Sequence, residues 1–156
     1  NVRIVFAGEY LIKYEDFYDR CAELVDQYKD YLCFLGLVTD DREMACFYSM
    51  CDVLALPSGT ECFGLVQVES MLFGTPVVAT DIPGAREVVR VTGMGELVPK
   101  GEERALGEAI VRVLGNRERY VRPREEIEKI FSLRRTVDEY ERVFQESIEA
   151  LCPKGG

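Results

Sequence analysis

Two acidic side chains, Glu61 and Glu69, bracket the point where a glycine opens an apolar, helix-period run. The stretch reads Pro57-Ser58-Gly59-Thr60-Glu61-Cys62-Phe63-Gly64 and continues Leu65-Val66-Gln67-Val68-Glu69-Ser70. Glycine at a helix start lets a ligand approach the backbone, and the first amides, those of Gly64, Leu65 and Val66, have no intrahelical acceptor. With the helix dipole behind them, such N–H groups suit a phosphate or a sugar hydroxyl. Glu69 lies roughly 7.5 Å along the helix from Gly64 at 1.5 Å per residue. Two carboxylates so placed can each accept a pair of hydrogen bonds from vicinal hydroxyls, one pair on a ribose and one on a hexose.

Spacing does not decide the matter. The chain has 19 glutamates, and pairs eight apart recur at 15/23, 118/126 and 141/149. Ser58-x-x-Glu61 ahead of an apolar run also has the form of a capping box. Glu69 equally suits the polar side of a helix whose neighbours Val68, Met71 and Leu72 are core. On the residues alone both readings stand.

Apolar β-rich segments and helix-period segments alternate around this stretch. Val2–Ala7, Tyr31–Leu35, Asp52–Leu56, Thr75–Thr80 and Glu96–Val98 read as strands. Helices are expected over about 15–29, from Asp40 (with Glu43 as its capping pair) through Met50, over Gly64–Phe73 with Gly74 closing it, over Pro83–Arg90 and around Leu106–Leu114. Two more follow, Glu125–Phe131 and a long one bearing Val137, Tyr140, Phe144, Ile148 and Leu151 on one stripe, which is expected either to pack on the same domain or, as a closing helix that crosses toward another lobe, to expose its apolar face or self-associate. Strands apolar on both faces, separated by helices, predict a doubly wound, Rossmann-like α/β domain with a parallel sheet covered on both sides. Residues 1–115 form its core and 116–156 are C-terminal helices packing on or extending from it. Ligands of such sheets bind beyond the carboxyl ends of the strands. This directs attention to loops Gly8–Tyr14, Gly36–Asp41, Pro57–Gly64 and Asp81–Ala85.

Composition narrows the function. The chain has 156 residues, 47% hydrophobic and 30% charged, which suits one globular domain. A net charge of −9 argues against a phosphate-backbone reader, so no nucleic-acid partner is expected. Histidine is absent, which removes Ser-His-Asp, Cys-His and imidazole–metal sites from these residues. Arg112, Arg117, Arg119, Arg122 and Arg124 form a basic cluster, read as a solvated helical surface in preference to a partner or membrane patch. Six cysteines without a C-x-x-C pair read as small buried hydrophobes in a reducing compartment, hence a cytoplasmic protein. Apolar runs are too short to span a bilayer. A start at Asn1, directly before a strand-like segment, suggests a fragment whose upstream part is missing.

Several stretches together resemble the C-terminal half of retaining family-four glycosyltransferases of GT-B architecture. They are Phe34-Leu35-Gly36, Cys51 to Ser58, Glu61-Cys62-Phe63-Gly64, Glu69, Gly74-Thr75-Pro76-Val77-Val78-Ala79, Glu87-Val88-Val89 and Gly95 to Val98, and the resemblance covers about residues 2–115. It implies a single domain that binds a nucleotide diphosphate sugar, while a separate N-terminal half, missing here, binds the acceptor. Carried over by position, Glu61 holds the catalytic place and contacts hydroxyls of the donor sugar. Phe63 and the amides of Gly64, Leu65 and Val66 meet sugar and phosphate, and Glu69 holds the ribose diol. Leu37 and Val38 lie where the base is held through backbone groups.

The resemblance implies no metal or other cofactor, only a UDP-, GDP- or ADP-sugar as donor, and transfer of a hexosyl group with retained configuration. Membrane contact is not expected from this half. Ser70 stands where the family usually has Ala and should fit. Pro83-Gly84-Ala85-Arg86 replaces the usual Gly-Gly, and Asp81 is expected to cap the helix that follows, in preference to touching the sugar. The family's phosphate-binding Arg and Lys lie upstream of the segment matching Val2–Ala7, and Lys13 reads as a solvated surface lysine. The competing classes are a non-enzymatic doubly wound regulatory or scaffold module, and another GT-B enzyme such as a sugar-nucleotide epimerase or a phosphorylase. The first would need a phosphorylatable Asp at the carboxyl end of the third strand, and Asp52 stands at its other end.

Overall fold

A computed structural model describes residues 2–9 and 17–151. Strand and helix alternate: β1 (Ile4–Ala7), α1 (Phe17–Arg20), α2 (Ala22–Tyr28), β2 (Leu32–Gly36), α3 (Asp41–Met50), β3 (Leu54–Leu56) and α4 (Leu65–Leu72). Then come β4 (Val77–Thr80), α5 (Ala85–Thr92), β5 (Gly95–Val98), α6 (Glu103–Gly115), α7 (Arg117–Tyr120), α8 (Arg124–Ile130) and α9 (Leu133–Leu151). All pairings among the described residues are parallel, in two ladders, β1-β2 and β3-β4-β5. The chain divides into two compact units, residues 1–46 and 47–156, at a boundary inside α3.

In the first unit Ile4 pairs with Leu32 and Phe6 with Phe34, whose rings stack at 4.8 Å. The helix expected over 15–29 is two short helices, interrupted at Cys21 (φ −98°, ψ 1°) and followed by a single 3₁₀ turn, Lys29–Tyr31. Burial on both faces, expected of every strand, does not hold for β1, where Ile4 and Phe6 are about half exposed. Asp40 caps α3 as its type and position imply: its Oδ1 accepts from the amides of Arg42 (2.9 Å) and Glu43 (3.0 Å).

The second unit shows how period-two alternation builds a two-sided core. All four residues of β4 are buried. Val77 and Ala79 pack with Val68 and Met71 of α4, Val88 and Val89 of α5, Met94, and Ile127 of α8. Val78, pointing to the opposite face, packs with Val98 and with Ala109 and Val113 of α6. Fully burying each valine, isoleucine or methionine side chain among these contributes roughly 1.5–3 kcal/mol. Helix α4 ends in a Schellman motif. The Thr75 amide donates to Ser70 O at 3.0 Å and Gly74 to Met71 O at 2.9 Å, with Gly74 at φ 76°.

The helices after residue 116 stay with this unit. Arg117 donates to Gly74 O at 2.9 Å, and Tyr120 donates to Glu96 at 2.6 Å. The basic cluster is partly consumed in such bonds: Arg112 grips Glu96, and Arg124 pairs with Glu128 across one helical turn. Of the two readings of the α9 stripe, the exposed one holds among the described residues. None of its residues is buried, and Tyr140 and Phe144 are each 61% exposed. Arg135, Tyr140 and Val143 of this helix line an apolar concavity with Val91 and Phe131.

The cysteines also differ from expectation. Cys46 and Cys62 are exposed and Cys21, Cys33 and Cys51 only partly buried, all as free thiols. Cys46 sits on α3 and Cys62 in the loop before α4, where none of the described residues covers so short a side chain. Lys13, most of the Gly8–Tyr14 loop and Cys152 lie outside the described residues.

Candidate functional site

The β3–α4 loop and the start of α4 are held from three sides. Gly64 is the N-cap of α4 in a left-handed conformation (φ 71°, ψ 58°), which disfavours any L side chain. Space forbids one as well. A Cβ there would lie 2.6 Å from Gln67 Nε2, 3.1 Å from Leu56 Cδ2 and 3.4 Å from Glu61 Cγ. Glu61 is therefore folded against the helix start. Its Oε1 accepts from the Cys62 amide at 3.0 Å.

The second support is the β4–α5 loop. Gly84 (φ 87°) presses its backbone on that of Glu61 and Cys62, and a Cβ would collide with the Glu61 carbonyl oxygen and come within 2.6 Å of that of Cys62. Lys100 supplies the third, donating from Nζ to Gly59 O at 2.7 Å. Both Gly84 and Lys100 are contacts that sequence reasoning missed. The Pro83-Gly84 departure was visible in the sequence, but its contact with the Glu61 loop arises only when the two loops meet in space.

Within α4 the amides of Leu65 and Val66 precede the first closed turn, in which Gln67 N–H donates to Gly64 O at 2.9 Å. Their side chains are 65% and 37% exposed, so this end of the helix faces outward. Buried Gln67 donates to Ala85 O at 3.0 Å, tying α4 to α5, while its Oε1 has no partner among the described residues. Ser70, in the place usually held by Ala, is buried and donates to Gln67 O at 2.9 Å, so the hydroxyl is accommodated as expected. Glu69 sits on the exposed side of α4, and its Oε2 accepts from the Tyr48 hydroxyl at 2.7 Å. That bond and burial push the Tyr48 phenol well above its ordinary range, burial being the larger cause, so the hydroxyl keeps its proton.

Other sequence candidates fall as follows. The Phe63 ring stands edge-on to Phe131 at 6.0 Å, on the α8 side of the loop, and is 38% exposed. Leu37 and Val38 follow β2 in the first unit, after Gly36 with φ 73°. The capping-box reading of Ser58 and Glu61 is not realised, because α4 begins at Leu65 and Gly64 is its N-cap. Asp81 does not cap α5, whose N-cap is Gly84 with no side-chain bond. Instead Arg86, the second residue of α5, reaches back to it: its Nε pairs with Asp81 Oδ1 at 2.9 Å and its NH2 group donates to Asp81 O at 2.9 Å. At the carboxyl ends of β3, β4 and β5, Pro57, Thr80, Val98 and Pro99 wall a small cavity of about 140 Å³. Parallel α/β sheets bind ligands at this end.

Residues 1–130 match the model of the glycosyl transferases group 1 family, and the chain belongs to that family. A phosphatidyl-myo-inositol mannosyltransferase of Mycobacterium leprae is 46% identical over 96 residues, 59% of this chain and 25% of the relative. A glycosyltransferase of Methanocaldococcus jannaschii is 32% identical over 118 residues, 76% of this chain and 32% of its own length. Among solved structures, sucrose-phosphate synthase of Thermosynechococcus elongatus superposes with a TM-score of 0.76 at 28% identity, over 95% of this chain and 39% of that one. Anabaena HepE, solved in complex with UDP, gives 0.73 at 26% identity, over 96% and 41%. The chain thus spans a quarter to a third of these curated relatives and about two-fifths of the solved chains. Its fold is the parallel α/β arrangement that the GT-B resemblance implies.

Proposed function

We propose that this chain is the donor-binding half of a retaining glycosyltransferase that moves a hexosyl group from a nucleotide diphosphate sugar to an acceptor hydroxyl. The observation that carries the reading is the start of α4. There a left-handed glycine opens a helix whose first amides face outward, with Glu61 folded against it and Glu69 on its exposed side. In the proposed complex the Leu65 and Val66 amides meet the distal phosphate and take up charge as it leaves. Glu61 accepts from hydroxyls of the hexose and Glu69 from the two ribose hydroxyls. Fixing the donor at both ends supplies positioning. Solved structures of the HepE neighbour hold UDP and UDP-glucose, which supports a nucleotide sugar here.

The remaining partner is an acceptor-binding half, which completes the cleft and brings the cations that neutralise the diphosphate. Among the described residues no helix is long and apolar enough to cross a membrane. A cytoplasmic site of action and a donor used without metal are parts of the same proposal.

The test is thermal denaturation of the intact protein with UDP, GDP and ADP. The matching nucleotide raises the melting temperature; saturation at about 100 times Kd corresponds to about 2.7 kcal/mol. Glu69→Ala removes most of that shift while leaving the unliganded melting temperature within a degree or two. A full shift in the variant takes Glu69 out of the ribose role. Assaying nucleotide release with and without acceptor separates transfer from epimerisation.

A further inference from the structure

We infer that Tyr48 is a positioning residue for Glu69: its hydroxyl fixes one carboxylate oxygen so that the other is presented to the ribose. The inference rests on the ribose assignment of Glu69 and extends it to a residue outside the motif, 21 positions upstream on α3.

The two side chains have opposite surroundings. Glu69 is exposed, whereas Tyr48 is 3% exposed and immobilised. Its ring lies nearly parallel to Phe73 (14°, centroids 6.2 Å) and tilted against Phe47 at 5.5 Å. Its backbone carbonyl accepts from the buried Thr75 hydroxyl at 2.7 Å, and the same hydroxyl reaches Cys51 O at 3.1 Å. A rigid phenol thus reaches out from the core and holds a flexible surface carboxylate by one oxygen, at 2.7 Å.

The donor's chemistry is as telling as its position. A guanidinium or ammonium here would neutralise Glu69 and compete for its lone pairs. A phenol contributes one proton and no charge, and it stays protonated because burial and Glu69 itself raise its pKa. Among the described residues the Tyr48 bond is the one hydrogen bond on this carboxylate, which leaves its second oxygen and a lone pair on the first for two hydroxyl donors. An exposed glutamate otherwise loses rotamer freedom on binding, and a bond made beforehand removes part of that loss.

The experiment compares ribonucleotide with deoxyribonucleotide, because only the former presents the 2′-hydroxyl. Titration calorimetry on the intact protein uses UDP with 2′-deoxy-UDP, or the guanosine or adenosine pair where the thermal-shift screen selects that base. Tyr48→Phe is expected to weaken the ribonucleotide about three- to tenfold, as for one hydrogen bond, and the deoxy form less than twofold. In the assay, KM for the donor rises with kcat nearly unchanged. Tyr48→Phe adds nothing in a Glu69→Gln background, and Tyr48→Met repeats the measurement should the phenylalanine variant unfold early.

Equal weakening of both nucleotides, or an unchanged ribose preference in Tyr48→Phe alongside its collapse in Glu69→Gln, overturns the role of Tyr48 alone. An unchanged preference in Glu69→Gln overturns the ribose assignment beneath it.

Discussion

At the scale of single residues, Glu96 on β5 is gripped by two partners from the following helices. Arg112 of α6 donates from its NH2 group at 2.7 Å, and the Tyr120 hydroxyl of α7 donates at 2.6 Å. The bond from Arg112 is the larger cause that holds the Glu96 carboxyl below its ordinary range, and the bond from Tyr120 acts the same way against partial burial. A carboxyl with a depressed folded pKa contributes stability that is present above its unfolded value, about 4.3, and is lost as pH falls through the folded value. Glu96→Gln is therefore expected to melt earlier than the parent at pH 7, with the gap closing as pH falls below 4. A gap that persists unchanged at pH 3 refutes the ionic origin. The pair Tyr48 and Glu69 shows the reverse use of a carboxylate: one neutral donor, an open side and an exposed position.

At the scale of elements, the loop before α4 takes its shape from backbone packing more than from side-chain bonds. Gly64→Ala adds a methyl in the left-handed region, at roughly 1–2 kcal/mol, and forces Gln67 aside. Gly84→Ala drives a methyl into the backbone of Glu61 and Cys62, which cannot yield as a side-chain tip can. Both variants are expected to unfold at lower denaturant concentration. Gly84→Ala, though nowhere near α4 in sequence, should also cost donor affinity as Glu61 shifts. Nucleotide titration of Gly84→Ala checks this, and undiminished affinity removes the β4–α5 loop as a support of Glu61. The helix start itself was legible, because Gly64 before an apolar periodic run and Gly74 after it mark the two ends of α4. The brace from Gly84 was not, because backbone contact between loops leaves no periodic trace.

At the scale of the whole molecule, the second unit gathers its core on the two faces of β4 while α9 buries none of its residues. Ile127 of α8 is fully buried and joins the cluster of Val77, Val88 and Met94. Ile127→Ala is expected to destabilise by about 2–5 kcal/mol. Ile148→Asn on α9, 59% exposed, should change stability by no more than about 0.5 kcal/mol. Comparable losses in urea denaturation would mean that the α9 stripe is covered in solution. The stripe was legible as an amphipathic pattern, but which of its two fates holds was not, because periodicity reports that a face is apolar and not what meets it; among the described residues it finds no cover.

Local chemistry written into consecutive residues settled the alternation of strand and helix, the glycine-opened start of α4 and the Asp40 cap. These depend on propensity, turn geometry and patterning within a few residues of each other. Folding in three dimensions decided the rest: the pairing of Asp81 with Arg86 in place of a cap, Gly84 under Glu61, Lys100 on Gly59, and the Tyr48 hydroxyl on Glu69. Each joins groups by distance and direction, and side chains brought together through space need no fixed spacing along the chain.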